Sequence, residues 1–149
     1  MKEHMIRTAE AVVFGLYLVL LFYVLFFAEG YGRAAVEELR YNLVPFAEIS
    51  RFLTYHRQIG ILPVLLNIGG NILGFMPLGF ELPALIPFFR KGIRAVAGGA
   101  LLSSMVEVIQ LVARVGSYDV DDILLNTLGT LLGYLVYRSI SGYRRRLDG

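Results

Sequence analysis

Asp119, Asp121 and Asp122 stand within four positions of one another, immediately before the apolar run ILLNTLGTLLGYLVY. Glu107 lies upstream, with Gln110 and Arg114 three and seven residues after it and Ser103 four residues before it. Asn67 and Asn71 form an i, i+4 pair. Clustered carboxylates beside amides can cap a helix, share a proton, hydrogen-bond a phosphate or sugar, or coordinate a hard cation. DVDD lacks the EF-hand spacing, the chain has no cysteine, and His4 and His56 are far apart, so no metal site is assigned. A divalent cation at the Asp119–Asp122 turn belongs only to an enzymatic alternative taken up below.

These residues are embedded in an unusually apolar chain. Of 149 residues, 56% are hydrophobic and 17% charged, and the mean hydropathy is +0.63, outside the range of soluble domains. A bilayer core of about 30 Å requires about 20 apolar residues per helix. Four segments fit that length, predicted as spans over 11–28, 61–80, 95–113 and 122–140 of a single domain covering 1–149. The first follows Lys2 and Arg7, but its apolar run is longer than a signal-peptide h-region and AEGYG is a poor cleavage site, so it reads as a retained anchor.

With four spans both termini share a face. That face carries 9 of the 14 Lys and Arg residues, including Arg90, Lys91, Arg94, Arg138 and Arg144 to Arg146; the opposite face carries Arg33, Arg40, Arg51, Arg57 and Arg114. The positive-inside rule therefore predicts a multi-pass protein of the cell membrane with cytoplasmic termini. The basic tail reads as a contact for anionic headgroups, not for nucleic acid.

This topology brings the polar residues to the outer end. Ser103, Glu107, Gln110 and Arg114 fall on one helical face, with Glu107 about 9 Å deep by the helical rise. Asn67 and Asn71 enter from the same end, about 9 and 15 Å down. Asp119, Asp122, Asn126, Gly129 and Gly133 form a third stripe. One shared outer pocket is predicted from Asn67, Asn71, Glu107, Gln110, Arg114, Asp119, Asp121, Asp122 and Asn126. Asp119 doubles as an N-cap, with Asp121 and Asp122 in the first turn, where negative charge suits the helix dipole. Gly70 with Gly74 and Gly129 with Gly133 have GxxxG spacing and read as helix packing; a homodimer through the second pair is the alternative use. In the outer connection Asn42 before Pro45 reads as a turn, and Val44, Phe46, Ile49, Phe52 and Leu53 recur at helical spacing. The fold class is thus all-α, a bundle of four transmembrane helices with an amphipathic extracellular connection.

The chain resembles the VanZ-like family of small bacterial membrane proteins. The resemblance rests on NLVPF at Asn42 to Phe46, NIGGNILGFMPLGFELP at Asn67 to Pro83, EVIQ at Glu107 to Gln110 and DVDDILLNTLGTLLGY at Asp119 to Tyr134, in family order over about two thirds of the chain. It implies an envelope membrane protein, similar to a namesake linked to lowered susceptibility to teicoplanin and not to vancomycin. Partners expected on this basis are a membrane lipid or a lipid-linked cell-wall precursor at the outer leaflet. Two alternatives come from other classes. An intramembrane enzyme would use Glu107 as acid or base and Asp119, Asp121 or Asp122 to hold Mg²⁺ or Ca²⁺ against a lipid phosphate. A small lipid transporter or flippase would use Glu107 as a proton relay. The non-enzymatic reading is preferred, because no recognised catalytic signature is present.

Overall fold

The computed structural model describes residues 2–27 and 41–147; Ala28 and the outer connection through Arg40 lie outside the described residues, as do the side chains of the tail arginines. Helix α1 spans Lys2–Phe27. A two-residue strand β1 (Tyr41–Asn42) leads to the short helices α2 (Ala47–Thr54) and α3 (His56–Ile59). Then α4 (Ile61–Val64), a π-turn (Leu65–Gly69) and α5 (Gly70–Leu85) continue as one rod. A 3-10 turn (Pro87–Arg90) reverses the chain into α6 (Gly92–Ala113). Finally β2 (Tyr118–Asp119) runs into α7 (Val120–Leu147).

Four of these stretches are long and apolar enough to cross a membrane: His4–Phe27, Ile61–Leu85, Gly92–Ala113 and Val120–Gly142. Their burial is inverted relative to a soluble bundle. Leu16, Val19, Ile93, Leu101 and Val112 face outward, whereas Asn71, Ser103, Glu107, Gln110, Asn126 and Thr130 are buried. Outward apolar side chains suit hydrocarbon, and inward polar ones must find partners within the bundle.

The packing order follows from side-chain size. Helix α7 lies tightly along α5, and α6 packs on α7. A Cβ on Gly133 would sit 1.9 Å from the Met76 carbonyl oxygen, one on Gly129 2.2 Å from that of Ile72, and one on Gly79 1.9 Å from that of Thr130. The backbones therefore meet where only glycine fits. The Gly129/Gly133 pair thus joins α7 to α5 within one chain and is not free to form a dimer face. Helix α1 closes the bundle more loosely: Leu21, Leu25 and Phe26 join Phe75, Leu78 and Val106 in the apolar core. Tyr17 donates from its hydroxyl to the Gly74 carbonyl at 2.7 Å, and Gln110 Nε2 donates to the Leu25 carbonyl at 2.6 Å.

Pro63 falls in the first turn of α4, where no intrahelical N–H is required. Pro77 and Pro83 stand inside α5 and remove two ladder donors, which a helix packed among others tolerates. Within this all-α fold one two-residue parallel bridge pairs β1 with β2, Tyr41 opposite Tyr118 and Asn42 opposite Asp119. It binds the outer connection to the start of α7.

Candidate functional site

The N-terminus of α2 begins at Phe46, a residue in the left-handed conformation (φ 66°) whose side chain cannot cap anything. The cap comes from Asp121, some 75 residues away: one carboxylate oxygen accepts from the Phe46 N–H, and the other accepts from Glu48 N–H at 2.8 Å and Ile49 N–H at 3.1 Å. A carboxylate accepting three amides at a helix start neutralises its orphan donors and opposes its dipole. Asp121 itself is 1% exposed. From the first turn of α7, where the sequence placed it, it also reaches across to cap α2.

Asp119 is the N-cap of α7, accepting from the Asp121 N–H at 2.8 Å, and the same oxygen accepts from Asn42 Nδ2 at 3.0 Å. Asn42 Oδ1 in turn accepts from the Val44 N–H at 3.0 Å and closes the turn read from the sequence. The Asp119 N–H donates to Glu107 Oε2 at 2.9 Å, which gives this 2%-exposed carboxyl group a partner within the bundle. Burial pushes the Asp119 carboxyl above its usual range. The Asp121 N–H, the Asn42 amide and Arg51 pull it back in part, and the Asp121 charge adds to the rise. Glu48 is raised too, first by burial, then by the Asp119 and Asp121 charges against the pull of Arg51. Its carboxylate pairs with Arg51 at 2.6 Å.

One turn further into α7, Asp122 Oδ1 accepts from Asn71 Nδ2 at 2.6 Å. Deeper still, Asn126 Nδ2 donates to Ser103 Oγ at 2.8 Å, and Thr130 Oγ1 donates to the Asn126 carbonyl. Asn126 Oδ1 is buried with no hydrogen-bond partner. Together these contacts form a polar column on α5, α6 and α7 that begins at α2 and descends into the bundle.

Of the nine residues predicted for the pocket, Asn71, Glu107, Gln110, Asp119, Asp121, Asp122 and Asn126 converge at this end of the bundle. Arg114 does not join them. Its N–H bonds the Leu111 carbonyl and the Val115 N–H bonds that of Gln110, a Schellman ending with Arg114 in the left-handed position (φ 57°). That turn carries the side chain off the Ser103–Glu107–Gln110 face, and Arg114 is exposed. Asn67 is half-buried and falls in the π-turn, ahead of the α-helical stretch that carries the buried Asn71. Gly74 does not mediate close helix contact: a Cβ there would meet Leu21 at an ordinary 3.7 Å. Sequence reasoning missed the role of Asn42. The turn it forms with Val44 was read from the sequence, but its partner Asp119 lies 77 positions away, and only its place in the NLVPF motif pointed beyond the turn.

The three aspartates turn to three different partners on the chain, and among the described residues no group of three His, Cys, Asp or Glu side chains is arranged around a metal-sized space. What the site presents outward is α2 and its flanks: Leu43, Val44, Phe46 and Leu53 are exposed, beside Arg51 and Arg57. It is an apolar and basic surface fastened to a buried acidic one.

An inverted bundle of four hydrophobic helices with a polar column at one end defines a polytopic all-α membrane protein. The sequence profile of the VanZ/LLP1 family matches residues 14–141, and the chain belongs to that family. No curated protein and no solved structure matches it.

Proposed function

We propose that this chain works at the headgroup level of the outer leaflet of a bacterial cell membrane, engaging a lipid or lipid-linked wall precursor and thereby lowering susceptibility to teicoplanin-type glycopeptides. The observation that carries this reading is the tether of α2: a short helix with exposed apolar residues is held by Asp121 at the mouth of the polar column. A helix so placed lies in the plane of the interface, its apolar residues among the upper acyl chains and its arginines at the phosphates. The excess of Lys and Arg on the opposite face supports cytoplasmic termini, with α2 outside. Family membership supports the glycopeptide phenotype. Phosphoryl transfer is less well supported, because it needs carboxylates turned toward one substrate.

The test is susceptibility to teicoplanin and vancomycin in a sensitive Gram-positive host, with intact protein, Glu107→Gln and Asp122→Asn at matched membrane abundance. Raised tolerance to teicoplanin alone, abolished by either substitution, is the expected result. Three strains indistinguishable from the empty vector would sink the antibiotic reading.

A further inference from the structure

On its two sides, the rod formed by α4, the π-turn and α5 uses glycine in opposite ways. Toward α7, Gly79 fits backbone against backbone. Toward α1, a Cβ on Gly69 would meet nothing within 4 Å, and one on Gly74 would make only ordinary contact with Leu21 at 3.7 Å. Glycine weakens a helix interior, and on this side no close packing offsets that weakness. Gly69, Gly70 and Gly74 instead floor a cleft of about 490 Å³, walled by Leu20, Val24 and Leu73. At the inner end α1 is pinned to α5 by the Tyr17 hydroxyl on the Gly74 carbonyl, and at the outer end to α6 by Gln110 on the Leu25 carbonyl. Polar bonds therefore hold α1 at a fixed distance across the gap.

We infer that this cleft seats one acyl chain of an anionic outer-leaflet phospholipid whose headgroup lies beside α2 and α3. This rests on the functional reading above and specifies one ligand for it. The lining is apolar, and its one hydroxyl is already engaged, so the occupant is hydrocarbon along its length. The cleft sits between membrane-spanning stretches, where hydrocarbon is the surrounding medium. From Leu65 to Pro77 it runs about 18 Å by the helical rise, close to half of a roughly 30 Å bilayer core, so it accommodates one leaflet's depth of tail. Directly before the rod, Arg57 on α3 is exposed, a positive charge at the level of the phosphate. An unfilled cleft would forfeit the dispersion contacts of every side chain along it.

The experiment uses the full chain in nanodiscs containing phosphatidylglycerol with a diazirine on one acyl chain, and maps the adducts. Labelling over 17–24 and 65–77 is expected at least fivefold above that at outward-facing Leu101. Gly69→Leu, which projects into the open space without touching backbone, should reduce it to the Leu101 level, and Gly69→Ala should reduce it in part. Gly15→Leu, with equal room on the outward side of α1, should leave it unchanged. Uniform labelling, or labelling indifferent to Gly69→Leu, overturns the assignment. So does crosslinking between two copies through the cleft, or displacement by a polyprenyl phosphate and not by unlabelled phosphatidylglycerol. Specific labelling by a chain without effect on tolerance would reject the functional reading and leave the tail site standing; tolerance dependent on Asp122 with uniform labelling would reject the tail site alone.

Discussion

Replacing Asp121 with asparagine keeps the volume of the side chain but sets an amide donor against backbone N–H groups that now meet a carboxylate. Each hydrogen bond to a charged acceptor contributes roughly 1.5–3 kcal/mol, and about 1.4 kcal/mol is a tenfold change in an equilibrium. Asp121→Asn is therefore expected to accelerate hydrogen exchange at Glu48 and Ile49 by at least about tenfold while leaving α5 to α7 protected. Unchanged exchange would mean that α2 is held by something else. Asp119 and Glu48 add a pH dependence. A carboxyl whose pKa is raised in the docked arrangement binds its proton more tightly there than when α2 is released. Docking is thus favoured at low pH, within the raised range, and weakened as pH rises from the ordinary carboxylate value of about 4 toward neutrality. Protection of Glu48 and Ile49, corrected for intrinsic exchange, should fall over that interval, and Asp119→Asn should flatten the slope.

Among the helices, the central contact is α5 against α7. A methyl group on Gly133 must displace the Met76 carbonyl, 1.9 Å from where it would stand. Gly133→Ala is expected to destabilise the bundle by about 1–3 kcal/mol, as overpacking does. Gly15→Ala, in open space, should be neutral or stabilising by up to about 1 kcal/mol. Thermal unfolding in detergent distinguishes the two, and equal Tm values would mean that the helices separate freely. The spans were legible because an apolar run of bilayer length admits few alternatives, and the faces of α6 and α7 because Glu107, Gln110, Asp122 and Asn126 keep helical spacing. The π-turn was not legible: no residue in LLNIG forbids an ordinary helix, yet Asn67 falls within it. Nor was the left-handed ending at Arg114, a position usually taken by glycine or asparagine. The pairing of Asn42 with Asp119 and the reach of Asp121 to α2 were hidden for a different reason. Spacing rules describe neighbours within one element, and these partners are brought together only by the fold.

For the whole molecule, the account depends on which way the bundle faces. The polar column opens where α1, α6 and β1 end and α2, α4 and α7 begin, whereas Arg90, Lys91 and Arg138 mark the opposite end. The chain contains no cysteine, so single thiols can be introduced without background. Ser50 on α2 and Lys91 beyond the 3-10 turn are both exposed and lie at opposite ends. The most direct measurement is labelling of Ser50→Cys and Lys91→Cys in intact cells with a membrane-impermeant maleimide. Ser50→Cys should label in intact cells and Lys91→Cys only after permeabilisation. The reverse pattern would place the tethered helix in the cytoplasm and contradict an outer-leaflet role.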